Sequence, residues 1–222
     1  MIRFFDILFS GIAILLLIPL MIPIIVVLKL TGEHYIFYTQ KRVGRYGKEF
    51  ELLKFATMLK NSPNMPGGLY TSINDPRMLP LGKFLRKTKI NELPQLFNIF
   101  IGQMSIVGYR PTVSEHYEAF PDDAKQKLFN TKPGLTGIGS IVFRNEEEIL
   151  QRFENKKEIH QNIINPYKAE LESWYVDNIN LTNYFKLIVV TTIVVIKTNS
   201  NIWKKAFNNL PSTPLELEKY IL

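Results

Sequence analysis

The stretch Leu85 to Pro111, LRKTKINELPQLFNIFIGQMSIVGYRP, sets Arg86 and Lys87 a few residues before the carboxylate of Glu92 and closes on Gly108, Tyr109, Arg110 and Pro111. The rigid fork of arginine grips phosphate oxygens, whereas a nearby carboxylate repels phosphate unless a divalent cation lies between them. Cations, a carboxylate and a tight turn in this order point to a metal-assisted site for a diphosphate. Pro94 suits a first helical turn, so Asn91 and Glu92 fall at or just before a helix N-terminus, where exposed amides attract anions. Asn91 has a simpler reading as the N-cap of that helix.

The elements that must hold these residues are bounded by composition. A chain of 222 residues supports one core and an appendage, with 46% apolar and 21% charged residues. The net charge of +7 fits a partner that is anionic, without choosing between acidic lipid, a nucleotide and nucleic acid. Nucleic acid is set aside, since neither an aromatic-basic platform nor a DNA-reading helix is evident and the N-terminus is strongly apolar. The absence of cysteine removes disulfides, thiolate metal sites and a cysteine nucleophile. His34, His116 and His160 show no ligand spacing.

From Ile7 to Leu28 roughly 22 residues pass without a charge, long enough to cross a hydrocarbon core. A secretory signal fits poorly, because Asp6 sits where positive charge belongs and no small-residue cleavage site follows. A straight span and a bent, re-entrant segment remain. Pro19 and Pro23 near the middle each delete a backbone donor, and both flanks carry positive charge, which favours a hairpin that enters and leaves by one face.

Farther along, Tyr35 to Thr39 and Phe50 to Phe55 read as short strands around a basic turn, QKRVGRYGK, with Lys41, Arg42, Arg45 and Lys48. That turn meets either acidic lipid or the substrate. Asn61 to Asp75 reads as a long loop, either a lid or plain surface. Leu93 to Ile101 has helical apolar spacing, and Val113 to Asn130 reads as one amphipathic helix. Thr131 to Ser140 is a Gly-rich loop without the Gly-Lys-Ser/Thr of a Walker element. Glu146 to Glu148 reads as a solvated helix start, Pro166 as the end of a helix, and Leu181 to Ile196 as a core or interfacial helix. The tail from Trp203 is not expected to add to the site.

Several separated words also resemble the bacterial sugar transferases that act as monotopic phosphoglycosyl transferases. They are Arg3-Phe-Phe-Asp6; Gln40, Arg42 and Gly44; Lys54, Phe55, Thr57 and Met58; Arg86-Lys-Thr through Glu92-Leu-Pro-Gln-Leu; Met104-Ser105 through Gly108; Arg110-Pro111; and Pro133, Gly134, Thr136 and Gly137. The resemblance implies a helix-rich α+β fold: a re-entrant membrane hairpin over residues 1–31 kinked at Pro19 and Pro23, a cytosolic domain over 32–200 with short strands and interfacial amphipathic helices, and a tail over 201–222.

It implies transfer of a sugar 1-phosphate from a UDP-sugar to undecaprenyl phosphate with release of UMP, at the cytoplasmic face of a bacterial inner membrane, to start a polysaccharide, capsule, O-antigen or glycoprotein glycan. Glu92 is then the Mg²⁺ ligand and, with Asn91, the catalytic pair, while Lys54, Arg86, Arg110, Pro111 and Arg42 bind substrate. Partners beyond the lipid would be a second copy or downstream glycosyltransferases. Asn91 stands where the family has an Asp nucleophile, Gln103 where it has an Asp, Tyr109 where it has Pro, Ala56 where a second cation is common, Lys132 where it has Arg, and Ile18 where Ser precedes the kink. A neutral amide is a poor nucleophile. Glu92 could attack, the lipid phosphate could attack directly, or the chain could be a silent member that binds substrate or scaffolds partners. The sugar is not specified by the sequence.

Overall fold

The computed structural model describes every residue except 67, 69–74, 119, 198, 199 and 222, and every described side chain except those of 116 and 147. It is helix-rich α+β, with an apolar N-terminal helix and few short strands. Two compact units emerge. The first comprises Met1–Asp6, Arg42–Phe50 and Gly102–Leu222; the second comprises Ile7–Lys41 and Glu51–Ile101.

Helix α1 (Ile2–Leu30) runs through both Pro19 and Pro23 and carries Lys29 in its last turn, where a cation suits the helix dipole. It is long and apolar enough to cross a membrane, and only 17% of its most apolar window is buried. Leu15 and Leu16 remain 70% and 73% exposed. Lower on the helix the spacing of Met21, Ile24 and Leu28 puts all three on one face, against Phe55 and Leu85. Each fully buried side chain of this size contributes roughly 2 kcal/mol of transfer free energy.

Strands β1 (Phe37–Val43) and β2 (Glu49–Phe55) pair as a hairpin. The basic turn expected over QKRVGRYGK is therefore shorter than the sequence suggests, because Gln40 to Val43 continue the strand and only Gly44 to Lys48 turn. Helices α2 (Gly82–Lys87) and α3 (Gln95–Ile101) follow. The buried Asn98 of α3 takes the place of a strand partner: its Oδ1 accepts from Leu53 N at 3.0 Å and its Nδ2 donates to Glu51 O at 2.8 Å. Most of the expected 61–75 loop, residues 67 and 69–74, lies outside the described residues. Its far end is held by Arg77, which pairs with Asp75 at 2.6 Å and donates to the carbonyls of Ser62 and Gly68.

In the first unit β3 (Ser105–Val107) is followed by α4 (Ser114–Glu118) and α5 (Asp122–Phe129). The single helix expected over 113–130 is thus two, divided at Pro121, which has no N–H to continue a helix. The Gly-rich stretch expected to be a loop forms β4 (Gly134–Thr136) and α6 (Ile138–Val142). Local propensity is overridden by pairing: β4 lies parallel to β3, with Ser105 opposite Gly134 and Val107 opposite Thr136.

Helices α7 (Glu146–Leu150) and α8 (Lys156–Ile159) lead through a π-helical turn, His160–Ile164, into α9 (Asn165–Asp177). Pro166 starts α9 instead of ending a helix, because the first turn has no need of its missing donor. Val43, Tyr109, Tyr117, Phe120, Ala124, Leu128 and Ala169 form the core there. Helix α10 (Leu181–Ile196) buries Tyr184, Leu187, Val190 and Val194 and leaves Phe185, Val189 and Ile196 exposed. The tail, including α11 (Ile202–Ala206), buries Trp203, Phe207, Leu217 and Ile221.

Glu146 is not the solvated residue expected. Its carboxylate takes both oxygens to Lys168 Nζ at 2.6 Å and stands 3.2 Å from His160 Nε2. Burial alone would raise its pKa, but Lys168 and His160 outweigh burial and hold it at about 2. A depressed carboxylate stabilises the fold above its unfolded value of 4.5, and that contribution is lost as pH falls toward about 2. Glu146→Gln should cost about 1–3 kcal/mol at neutral pH, measured by chemical denaturation, with the gap from the parent closing below pH ~4. An unchanged denaturation midpoint would rule out a stabilising role for the pair.

Candidate functional site

In the second unit, α2 ends in cations, Arg86 and Lys87, and Thr88 Oγ1 bonds back to Phe84 O at 2.8 Å. Lys89 then takes a left-handed φ of 60° and reverses the chain into a single 3-10 turn, Ile90–Glu92. Ile90 and Leu93 anchor that turn by packing against the core of Phe55 and Leu85. Asn91 lies between them and is buried at 8% exposure, with Glu92 half-buried beside it. The Asn91 Oδ1 is buried and makes no hydrogen bond among the described residues, so the residue does not act as a side-chain cap. Leaving such an oxygen unpaired costs about 1–3 kcal/mol. Arg86 is half-buried, and its Nη1 lies 3.4 Å from the Met58 sulfur. Lys54 is half-buried on β2, next to the Leu53 amide that Asn98 clamps to α3.

The first unit holds the remaining predicted residues. Arg42 Nη1 donates to the Pro111 carbonyl at 3.1 Å, and the Val43 amide donates to Thr112 O at 3.0 Å, so the Arg110-Pro111 turn is tied to the end of β1. Gly108 N bonds to Thr136 O at 2.9 Å, and Gly134 N to Tyr109 O at 2.8 Å. Arg110 is exposed, and its amide donates to Glu172 Oε1 at 3.3 Å. Upstream, Asp6 is buried and accepts from Ser105 Oγ at 2.9 Å, Ile106 N at 2.9 Å and Tyr184 OH at 3.0 Å. The opening Arg-x-x-Asp word and the Met-Ser word thus meet in one hydrogen-bond cluster at the start of β3.

Lys54, Arg86, Asn91 and Glu92 therefore share the second unit, whereas Arg42, Arg110 and Pro111 share the first; Pro19 and Pro23 lie within α1. Sequence reasoning missed Asn98 and Glu172. The signal was available in each case as a polar residue on the apolar side of a helix pattern, Asn98 within LFNIFI and Glu172 within ELESWY.

The bacterial sugar transferase family model matches residues 1–198. The chain is 34% identical over 209 residues to an undecaprenyl-phosphate galactose phosphotransferase of Salmonella typhimurium, covering 88% of this chain and 40% of that protein. It is 36% identical over 164 residues to the exopolysaccharide production protein ExoY of Sinorhizobium fredii, covering 68% of this chain and 72% of the relative. A UDP-glucose:undecaprenyl-phosphate glucose-1-phosphate transferase of Klebsiella pneumoniae is 34% identical over 161 residues, 70% of this chain and 34% of that protein. The chain spans about two fifths of the length of the first curated relatives it matches.

Among the described residues no group of three His, Cys, Asp or Glu side chains could hold a metal ion on its own. Mg²⁺ does not require one, since it binds through one or two protein oxygens and completes its shell with substrate phosphate and water. The Glu92 carboxylate and the unpaired Asn91 carbonyl supply oxygens of that kind. Asn91→Asp would place a buried carboxylate next to Glu92, and it should lower stability by about 1–3 kcal/mol without divalent cation. Added Mg²⁺ should then raise the melting temperature of the variant more than that of the parent. Equal responses in the two proteins would remove the turn as a metal site.

Proposed function

We propose, from the premise that the chain belongs to the bacterial sugar transferase family, that it transfers a sugar 1-phosphate from a UDP-sugar to undecaprenyl phosphate and releases UMP. Relatives whose names state this reaction, or production of exopolysaccharide, support the reading. The observation that carries it is the Lys89–Leu93 turn, which follows a cationic helix end, buries an amide oxygen of Asn91 that has no partner among the described residues, and carries Glu92 as the next residue.

The side chains have separable tasks. Arg86 and Lys54 take phosphate oxygens of the diphosphate, and Arg110 and Arg42, steadied through Pro111, take anionic oxygens of donor or acceptor. Glu92 is the metal ligand, with the Asn91 carbonyl as its neighbour. A bound Mg²⁺ supplies neutralisation of the diphosphate charge. With Glu92 so engaged and Asn91 uncharged, the turn offers no nucleophile of its own, and an oxygen of the lipid phosphate attacks directly. A bond forms from that oxygen to the β-phosphorus as the bond to the bridging oxygen breaks, and UMP leaves with the electron pair. Charge and protons balance without a general base.

The long, apolar and mostly exposed helix α1 supports a membrane location. In this reading α1 is re-entrant, bent about Pro19 and Pro23, and forms the 1–31 membrane segment of a chain whose 32–200 domain works at the cytoplasmic face of the bacterial inner membrane. The exposed apolar side of α10 lies in the interface there. The chain's protein partners in this reading are a second copy of itself or a downstream glycosyltransferase.

The test is UMP release by the full chain in lipid nanodiscs with Mg²⁺ and a panel of UDP-sugars. Release should require undecaprenyl phosphate from the first turnover, and Glu92→Gln should lower it by about 10²-fold or more. An acceptor-independent burst of UMP, or a labelled phosphosugar bound to the protein, would overturn direct attack. No release with any UDP-sugar would overturn the transferase reading.

A further inference from the structure

Glu172 has no task in the scheme above, yet it is a deeply buried carboxyl beside the Gly108–Pro111 turn. It lies on the inward side of α9 with Leu171 and Tyr175 and is 4% exposed. Its Oε1 receives the Arg110 amide at 3.3 Å, while Oε2 is buried with no hydrogen-bond partner among the described residues. The backbone at the start of α6 is pressed against it. A Cβ added at Gly139 would stand 2.5 Å from Oε1, and one at Gly137 would stand 3.4 Å from Oε2. The glycines of the KPGLTGIG stretch therefore clear a space for this carboxyl as well as for the β3–β4 pairing.

The groups facing it are few. Arg110 and Tyr109 come from the turn, Lys168 and Tyr175 come from its own helix, and α6 contributes no titratable side chain. Lys168 is engaged by Glu146. Both tyrosines are pushed up in pKa, by burial first, and stay neutral across the working range. A carboxyl that is buried without an ion-pair partner keeps its proton.

We propose that Glu172 is a positioning residue for Arg110: an uncharged carboxylic acid that receives the Arg110 amide, fixes the Gly108–Pro111 turn, and adds no negative charge where the Arg110 guanidinium would meet an anionic substrate. The proposal rests on the reading that Arg110 contacts substrate. An ionised Glu172 would draw the guanidinium back toward α9 and compete with a phosphate for it. Burial raises its pKa to about 8, offset only in part by the Arg110 amide and by the charges of Lys168 and Arg110. The unfolded chain ionises near 4.5, so the folded state holds the extra proton between the two values. Stability from this group is present in full below about 4.5 and declines as pH rises to about 8.

The decisive comparison is the parent with Glu172→Gln, which keeps the shape and the amide acceptor and cannot ionise. Infrared difference spectra at neutral pH should show a protonated-carboxyl stretch in the parent that is missing from the variant. UMP release by the parent should fall about tenfold between pH 7 and 9, through a rise in the KM for UDP-sugar, while the variant stays within about twofold of its neutral value. Arg110→Ala should be equally impaired in both backgrounds. Superimposable pH profiles, or no carboxyl band assignable to Glu172, would overturn the proposal. A parent that shows the band but releases no UMP would defeat the transferase reading instead, and with it the role given to Arg110.

Discussion

The close approach of two backbones at Gly108 and Gly134 is the constraint from which the first unit is built. A Cβ on Gly134 would come within 2.1 Å of Gly108 N, and one on Gly108 within 2.4 Å of Lys132 O. Overlap of this kind exceeds what side-chain repacking can relieve, because both contacts are with backbone. With no side chain at either position, Gly108 N reaches Thr136 O and Gly134 N reaches Tyr109 O, and the chain leaves β3 in a fixed direction toward Arg110 and Pro111. The same approach brings α6 to rest on Glu172.

Around this contact, position is set by buried polar side chains more than by apolar packing. Asp6 fastens the N-terminal part of α1 to β3 and α10 through three hydrogen bonds. In the second unit Asn98 fastens α3 to β2, and Arg77 with Asp75 closes the far end of the 61–75 segment. Each such bond contributes only about 1 kcal/mol net, less than a buried leucine, but removing one partner strands the other at a cost of several times that. Apolar packing therefore supplies most of the free energy, while these groups choose one arrangement among many of similar burial.

This division explains which parts of the fold could be read from the sequence. Long apolar runs were legible as helices: Leu181–Ile196 is a helix over the residues of its apolar run, and the run from Ile7 to Leu28 lies within one helix, Ile2–Leu30, that continues through Pro19 and Pro23. Helix breaks went unread where one residue decides them. Pro121 divides one expected helix, and Pro166 opens another, whose first turn has no need of the donor that proline lacks. The Gly-rich stretch looked like a loop since its strand character comes from β3, about thirty residues upstream. Of the site, the cations, Asn91 and Glu92 were legible as types and spacing. Glu146 was not, because a glutamate in a helix is ordinarily solvated and nothing in its own sequence reveals the Lys168 that meets it; Glu172 shows only as a polar residue on the apolar side of its helix pattern, with no sign of the Arg110 amide that it receives.

Charge gives a reason for the neutral residues at places where a resembling family carries acids. A carboxylate about 5 Å from a phosphate, at an effective dielectric constant of ~20, opposes binding by roughly 3 kcal/mol, more than a hundredfold in affinity. A site for a diphosphate therefore retains an acid only where it gains something by it. In the second unit Asn91 carries no charge beside Glu92; in the first unit Gln103 carries none, Asp6 spends its lone pairs on Ser105, Ile106 and Tyr184, and burial pushes the Glu172 carboxyl up toward its neutral form. Glu92 is the one carboxylate in its turn, which suits the cation ligand proposed for it. If Asn91 is neutral because charge there is unwelcome, restoring an acid at 91 should help only while a cation is bound. A pure loss of a nucleophile would instead be repaired by Asn91→Asp at any Mg²⁺ concentration that supports the parent.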